Sequence, residues 1–444
     1  MAAVEAIPPP FFSPYLDDQL SKLAARQIPW EGYQRAKLLS QEECTLIRSL
    51  DRLPLSQRGH KIATEGAQYA KLYIDLLRKL QRVDTVQAVL VSISVMLADM
   101  KAFHYFHDLR KDNPLDPYQP IVKCLTMDTD EEFVHLESLR ILALLIATDS
   151  TDFPDELLPT LLTSLASFIN GSHLQSRDIA TQVLNAVLGK KQFRSAVWKQ
   201  GDCISGLVKW LKDNISPQQQ YGAISCIWQL SFEQNAAEGL DKKYDIVPLF
   251  TEIAKSAVKE KVIRVIVATF RNLLTLAPSQ NLPSMFVVRL LPFVDSLTER
   301  KWSDEDVVED LQFLKEELKE RLEGLTTFDE YVSELESGHL VWSPAHESDD
   351  FWRLEAGRIQ TEANGKLVRR LIELLNTSHD PVVLAVACND VAKFVKYGGD
   401  KSKQLLNEGN GKTRVMQLMT SENPDVRYWA LMAVQQIMSQ HWLK

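Results

Sequence analysis

The segment Gly409-Asn410-Gly411-Lys412-Thr413 is the strongest candidate for chemistry in the sequence, because a Gly-Lys-Thr ending is typical of loops that bind nucleotide phosphates. That motif requires a glycine five positions before Gly411, where this chain has Leu406. A helix rather than a strand is predicted to lead into the segment, so its backbone N–H groups would not converge on a phosphate. We therefore interpret the segment as a turn between two helices.

Histidines and carboxylates provide the next candidates. His104 and His107, with Asp108, have a spacing that could place metal ligands on one face of a helix, but no second pair of ligands accompanies them. We interpret them as ordinary residues at a helix end. The adjacent carboxylates Asp349-Asp350 and Glu316-Glu317 diverge by about 100° on a helix, so we expect them to be hydrated rather than catalytic.

The cysteines are odd in number and include no CxxC pair, which does not suit a disulfide framework and favours a reducing compartment. They are Cys44, Cys124, Cys203, Cys226 and Cys388. Most lie among apolar neighbours, where a cysteine behaves as a small buried hydrophobic residue. The sequence thus predicts no catalytic residue, no cofactor, no metal site and no enzymatic activity.

Length and charge limit the possible partners. The 444 residues exceed what one hydrophobic core usually holds, so two domains or a solenoid are expected. With 50 basic and 59 acidic side chains the net charge is −9, which disfavours nucleic acid as a partner.

The longest apolar runs, such as Ile141 to Ala147, are too short to cross a bilayer, so no direct membrane insertion is expected. We expect residues 1–20 to be a poorly ordered Pro-rich extension and not a secretion signal.

An apolar quartet recurs at a step of 43 residues, which indicates a repeat protein. The quartets are Ile141-Leu142-Ala143-Leu144, Leu184-Asn185-Ala186-Val187, Ile227-Trp228-Gln229-Leu230 and Phe270-Arg271-Asn272-Leu273. This period lies within the range of about 40 to 47 residues for armadillo and HEAT units. In the unit over residues 197–230, Gly201 is expected to form a turn with positive φ, and Pro217 to begin the third helix. The predicted fold is an all-α, right-handed, armadillo/HEAT-like solenoid.

Two irregular segments suggest how the solenoid is divided. Residues Glu299 to Glu323 are densely charged with a thin apolar stripe, so we expect the repeat pattern to lapse there. Gly324 then interrupts a helix-forming stretch and is a possible hinge. This predicts an N-terminal repeat domain over 21–324 and a C-terminal repeat domain over 325–444. Residues 337–348 are expected to form an ordered strap at the start of the second domain.

Three segments go beyond general armadillo character. The first is Ile28-Pro29-Trp30 with Tyr33, and the second is Trp342-Ser343-Pro344 with His346, Phe351 and Trp352. The third combines Leu371 to Leu375, Asn389-Asp390-Val391 and Val426-Arg427-Tyr428. Together they resemble the family of the regulatory H subunit of the vacuolar-type proton-pumping ATPase (V-ATPase), from about residue 20 to the C-terminus.

The resemblance implies a non-catalytic regulatory and stator subunit that couples ATP hydrolysis to proton pumping and inhibits hydrolysis by the detached soluble sector. It implies partners in the peripheral stalk, the catalytic sector and the cytosolic domain of the large membrane-sector subunit, and no obligate homo-oligomer. It places the protein in the cytoplasm, peripheral on the cytosolic face of vacuolar membranes and other endomembranes. The connection Asn376-Thr377-Ser378-His379-Asp380 is a possible rotor contact, and its shortness bears on the strength of inhibition.

The alternative is an armadillo adaptor that binds extended peptides of other partners. Such adaptors carry a ladder of asparagines on their inner helices, whereas the third quartet positions here are Ala143, Ala186, Gln229 and Asn272. Only one of the four positions fits the ladder. The aromatic signature around Trp342 could face a partner, but a packed structural strap is the favoured interpretation.

Overall fold

Helices are the regular secondary structure throughout the part of the chain that the computed structural model describes, residues 10–51, 53, 55–213, 215–323 and 327–439. The prediction of an all-α fold is therefore confirmed. The chain forms two compact units that divide between Glu233 and Gln234. Because each repeat of a solenoid contacts only its neighbours, such a division falls between two repeats. The predicted boundary at Gly324 stays a prediction, since residues 324–326 lie outside the described part.

The first unit contains thirteen α-helices in its described residues. They are α1 (Pro14–Ala24), α2 (Trp30–Arg35), α3 (Gln41–Asp51), α4 (Leu55–Lys79), α5 (Val83–Leu97), α6 (Phe103–His107), α7 (Tyr118–Cys124), α8 (Glu132–Thr148), α9 (Leu158–Asn170), α10 (Leu174–Val187), α11 (Lys191–Gln200), α12 (Asp202–Leu211) and α13 (Pro217–Leu230). Short 3-10 turns occur at Met100–Ala102, Asp108–Lys111 and Asp155–Leu157.

The second unit contains a further thirteen α-helices in its described residues. They are α14 (Gln234–Tyr244), α15 (Ile246–Ser256), α16 (Glu260–Leu276), α17 (Pro278–Val287), α18 (Leu290–Thr298), α19 (Glu305–Glu323), α20 (Thr327–Ser337), α21 (Pro344–Glu347), α22 (Asp349–Thr361), α23 (Lys366–Thr377), α24 (Pro381–Glu408), α25 (Gly411–Leu418) and α26 (Pro424–Met438). A 3-10 turn lies at Glu362–Gly365, and α24 is kinked at Gly399, whose φ is 71°.

The repeat predicted from the apolar quartets is present. In the first unit the third helices α8, α10 and α13 begin at Glu132, Leu174 and Pro217, and each packs beside the next. In the second unit α16 begins at Glu260, and the same side-by-side packing joins α22 to α24 and α24 to α26. Each of these helices buries apolar residues that its own triplet could not cover, which is the energetic basis of a solenoid.

The turn residues of the repeat over 197–230 lie where the sequence places them. Gly201 has φ 79° and joins α11 to α12, and Pro217 is the first residue of α13. Ser216 and Gln219 form a capping box, in which each side chain pairs with the backbone of the other. The polar groups at this helix start are therefore satisfied locally.

Two expectations differ from the structure. The repeat pattern does not lapse over residues 299–323, because α19 packs against α16 and α18 and buries Val307, Leu311, Leu314 and Leu318. That prediction is wrong, since a narrow seam is sufficient for a helix that contacts its neighbours along one edge. Residues 14–20 of the expected extension over 1–20 are helical. Helix α1 begins at Pro14, and the side chain of Leu16 is fully buried; α1 packs against α5.

Replacing Gly201 by alanine tests the predicted turn. A Cβ atom disfavours the left-handed conformation by about 1–2 kcal/mol, so Gly201→Ala should lower the midpoint of urea unfolding. Gly222→Ala is the matched control, because Gly222 lies inside α13 and its Cβ would make only an ordinary 3.7 Å contact with Thr181. That variant should be neutral or stabilising. Equal midpoints for the two variants would contradict the assignment.

Candidate functional site: signature segments and a buried histidine

The first signature segment forms the wall of an open cleft. Trp30, at the start of α2, is buried and its Nε1–H donates a hydrogen bond to Asp51 Oδ2 at 2.9 Å. Ile28 is half-buried and Pro29 is exposed, and both line a cleft of about 920 Å³. Tyr33 packs beside Trp30 with ring centroids 6.0 Å apart. Trp30 thus anchors the segment, while Ile28 and Pro29 remain accessible from the cleft.

The second signature segment is mostly buried. Ser343, His346, Phe351 and Trp352 are inaccessible to solvent or nearly so. Pro344 is exposed and begins the short helix α21. Trp342 is half-buried and packs against Trp429 on α26, with ring centroids 5.0 Å apart. The segment therefore ties the beginning of the C-terminal helices to their last helix.

His346 lies at the centre of this segment, between two carboxylates. Its Nδ1 is 2.8 Å from both carboxylate oxygens of Asp390 on α24, and its Nε2 is 2.9 Å from Glu334 Oε2 on α20. Asn389 Nδ2 donates a hydrogen bond to the backbone oxygen of His346 at 2.9 Å. Both ring nitrogens therefore face carboxylate oxygens, and a doubly protonated imidazolium can donate a hydrogen bond to each carboxylate.

The electrostatics agree with that geometry. Burial alone would lower the pKa of His346, but Asp390 and Glu334 outweigh it and raise the pKa to about 10. Burial raises the pKa of Asp390 in spite of the neighbouring imidazolium. His346 is therefore charged at neutral pH. We refer to His346, Glu334 and Asp390 as the buried triad.

Aromatic rings enclose the buried triad. The ring of Tyr331 lies 5.4 Å from that of His346, 5.5 Å from Phe351 and 5.3 Å from Trp352. All of these side chains are buried, so water cannot compensate for a missing partner of the imidazolium. Both ring nitrogens of His346 are therefore engaged within an enclosed, solvent-inaccessible setting.

The candidate rotor-contact residues form a tight connection between α23 and α24. Asn376 and Thr377 belong to α23, and their side chains hydrogen-bond to backbone oxygens one turn earlier. Ser378 Oγ accepts the backbone N–H of Asp380, and Asp380 Oδ1 accepts that of Val382 at 2.8 Å. His379 is exposed at the tip. The connection is therefore fixed by local hydrogen bonds and presents His379 on a rigid turn.

Comparison with known proteins identifies the family. The family model for the N-terminal domain of the V-ATPase H subunit matches residues 14–318, and that for its C-terminal domain matches residues 324–442. The chain belongs to the V-ATPase H-subunit family. It is 31% identical to the V-type proton ATPase H subunit of Drosophila melanogaster over 433 residues, covering 96% of this chain and 90% of the relative. It is also 31% identical to a probable V-type proton ATPase H subunit of Oryza sativa subsp. japonica over 436 residues, covering 93% of this chain and 94% of the relative.

Solved structures give a weaker likeness. A computationally designed armadillo repeat protein for modular peptide recognition aligns with a TM-score of 0.43 and 17% identity, covering 56% of this chain and 98% of its own. The armadillo-like fold rests instead on the chain's own helix triplets and their 43-residue period. The H subunit is a non-catalytic part of the V-ATPase, and membership in its family agrees with the prediction that the chain is not an enzyme.

The sites that would suggest other chemistry are not assembled in the described residues. In this member of the H-subunit family, the nucleotide-like segment is a turn in which Asn410 has φ 60° and α25 begins at Gly411. A Cβ atom on Gly409 would lie 2.8 Å from Ile372, so this glycine serves close helix packing. His107 is hydrogen-bonded to the Leu145 backbone oxygen. In the described residues, no group of three His, Cys, Asp or Glu side chains is arranged so that it could hold a metal ion.

Among the residues that the structure describes, no single helix is both long and apolar enough to span a bilayer. The segments Val83–Leu97 and Met100–Lys111 meet the length and composition criteria only together, with a bend of 111° between them.

Sequence reasoning identifies the histidine of the buried triad but not its partners. Glu334 and Asp390 are distant from His346 in sequence, and a lone acidic residue normally indicates a hydrated surface. The sequence feature that could have indicated these partners is the pair Asn389-Asp390 inside the apolar stretch from Val383 to Val395 of α24. Two adjacent polar residues in such a stretch need buried hydrogen-bond partners. Gly324 lies outside the described residues, so the hinge stays a prediction.

Removing the imidazolium tests the buried triad. His346→Phe keeps an aromatic ring but removes the cation that pairs with two buried carboxylates, and we expect it to lower the free energy of unfolding by about 3–5 kcal/mol. The measurement is calorimetric or denaturant unfolding of the full chain. Adding Glu334→Gln and Asp390→Asn should recover part of the loss, because neutral amides are less costly to bury. A loss below about 1 kcal/mol for His346→Phe would contradict the assignment.

The pH dependence of stability provides a separate test. The pKa of His346 is raised from its ordinary 6.5 to about 10 in the folded chain. The stabilisation from its protonation is therefore complete below about pH 6.5 and is lost as the pH rises through about 10. The melting temperature of the native chain should fall over this interval more steeply than that of His346→Phe. Parallel curves for the two proteins would exclude the proposed charge state.

Proposed function

We propose that the chain is a regulatory and stator subunit of the V-ATPase that couples ATP hydrolysis to proton pumping and inhibits hydrolysis by the detached soluble sector. The observation that carries this proposal is the match to both domains of the H-subunit family, which together span residues 14–442 apart from a short gap. The physical support is a chain of packed helix triplets that presents long helical surfaces. Such surfaces suit the binding of other proteins.

In this proposal the N-terminal repeat domain, residues 21–324, holds the peripheral stalk and the catalytic sector. The C-terminal repeat domain, residues 325–444, contacts the cytosolic domain of the large membrane-sector subunit or the rotor. The protein would act in the cytoplasm, on the cytosolic face of vacuolar and other endomembranes, as a peripheral component that does not need to form a homo-oligomer. A hinge at Gly324 would allow the second domain to exchange one contact for the other.

The connection at the tip of α23 and α24 is the proposed inhibitory contact. His379 is exposed there, and Val382 has 47% of its surface exposed on the first turn of α24. Because local hydrogen bonds already fix this turn, contact with a rotor component would cost little conformational entropy. A short, rigid turn would therefore brake the rotor by steric contact over a small area.

ATP hydrolysis by the detached catalytic sector tests the proposal. The full chain should lower the rate of ATP hydrolysis. The double variant His379→Ala/Val382→Ser should raise the concentration needed for half-maximal inhibition about fivefold, which corresponds to about 1 kcal/mol of contact energy. Val258→Ser is the matched control, since Val258 is 90% exposed outside this connection. No inhibition by the native chain would contradict the function. Equal inhibition by the three proteins would contradict only the contact.

The alternative, an adaptor for extended peptides, has one specific observation in its favour. Gln182 on α10 accepts the backbone N–H of Phe12 at 2.9 Å and donates to the Phe12 backbone oxygen at 3.0 Å. This is how a side-chain amide holds an extended peptide. The next candidate amide, Gln229, is instead occupied by Asn185 of the neighbouring helix. The amide contacts therefore do not extend into a ladder, and the V-ATPase role remains the better supported proposal.

A further inference from the structure

The exposed edge of α19 forms a cleft with α16 in the second unit. The cleft has a volume of about 570 Å³, and its lining includes Arg271 from α16 with Glu305, Val308, Glu309, Phe313 and Glu316 from α19. These α19 residues share the side of the helix opposite its buried seam. We call this feature the acidic groove.

Two basic side chains near the acidic groove, Arg271 and Lys315, are paired with carboxylates. Arg271 Nη1 lies 3.0 Å from Glu309 and 2.5 Å from Asp310, and its guanidinium stacks on Phe313 at 4.9 Å from the ring centroid. Lys315 pairs with Asp295 at 2.8 Å on α18. One cation in the groove thus faces several carboxylates, and the groove has a negative surface.

Apolar surface is exposed among these charges. Val308 has 51% of its surface exposed between Glu305 and Glu309, and the ring of Phe313 is half-buried beneath Arg271. An exposed valine on a helix that already buries four apolar residues is not needed for the fold. It supplies an apolar anchor within a negatively charged rim.

We propose that the acidic groove binds a basic amphipathic α-helix of a partner protein. The inference rests on the proposed function and adds the chemistry of one contact. Charge complementarity selects a basic protein segment, because nucleic acids and membrane surfaces carry the same sign as the groove. The apolar face of the partner helix would cover Val308 and Phe313, as in other helix-in-groove complexes.

The spacing of the carboxylates selects a helix over an extended peptide. Along α19, Glu305 and Glu309 are about 6 Å apart and Glu309 and Glu316 about 10.5 Å apart, from a rise of 1.5 Å per residue. Basic residues at i, i+4 and i+11 of an aligned helix have the same separations and share one face. An extended chain would need side chains at about i, i+2 and i+5, and the third of these points to the face opposite the first two.

Binding of a synthetic peptide tests the proposal with the full chain. The probe is a fluorescent helical peptide of about 18 residues, with lysines at i, i+4 and i+11 and leucines between them on the same face. A peptide of identical composition with the lysines distributed around the helix is the control. Fluorescence anisotropy should show tighter binding of the patterned peptide, with affinity falling as salt is raised.

Matched variants locate the binding site. The triple variant Glu305→Gln/Glu309→Gln/Glu316→Gln should weaken binding about tenfold. The variant Glu238→Gln/Glu252→Gln/Glu299→Gln removes the same charge from exposed positions outside the groove and should retain affinity within about twofold. Equal affinity for the two peptides, or equal weakening by the two variants, would overturn the proposal.

A cross-linking experiment separates this inference from the proposed function. A photoreactive residue at Val308 in the assembled V-ATPase should cross-link to a basic helix of another V-ATPase component, whereas one at Val258 should not. If the chain inhibits the detached sector but Val308 forms no cross-link and the peptides do not discriminate, the groove proposal fails and the function stands. If the chain neither inhibits nor assembles, the function fails, and the peptide experiment still decides whether the groove binds basic helices.

Discussion

The fold depends on apolar faces that one helix triplet cannot bury by itself. In the first unit, α8, α10 and α13 each cover the next, and the neighbouring helices α11 and α12 add the large, fully buried side chains of Phe193 and Trp210. Because the stabilising contacts lie between neighbours, the outer faces of the helices are free to vary in charge. The acidic groove and the cleft beside Trp30 are both built on such faces.

This constraint explains how much of the fold could be predicted from the sequence. The apolar quartets repeat at 43 residues because each third helix meets its neighbours at equivalent positions, and Gly201 and Pro217 punctuate the unit for steric reasons. Helix α19 is hard to recognise as part of the repeat because its exposed faces carry most of its residues and obscure the buried seam at Val307, Leu311, Leu314 and Leu318. A high density of charged residues in the sequence indicates that much of the helix surface is exposed. It does not show whether a narrow apolar edge of the same helix is packed against its neighbours.

The candidate site was less predictable for a different physical reason. The aromatic spacing around Trp342 and Trp352 is local and therefore readable, whereas the buried triad joins three separate helices. No local pattern distinguishes Asp390 from a hydrated aspartate until α24 is known to be buried at that point. Partner-facing residues such as His379 are harder still, because an exposed side chain that binds has the same local sequence as one that is only hydrated.

The buried triad also answers a problem that the repeats do not solve. The segment from Gly338 to Ser343 precedes the short helix α21 without regular structure, so helix–helix packing does not fix its position. Hydrogen bonds from an imidazolium to two carboxylates are directional, and they fix His346 between α20 and α24 at one position. A buried ion pair contributes little net stability compared with apolar packing. We therefore infer that the buried triad serves to fix the position of this segment relative to α20 and α24. The position of the segment is important because Trp342, which belongs to it, packs against Trp429 on the last helix, α26.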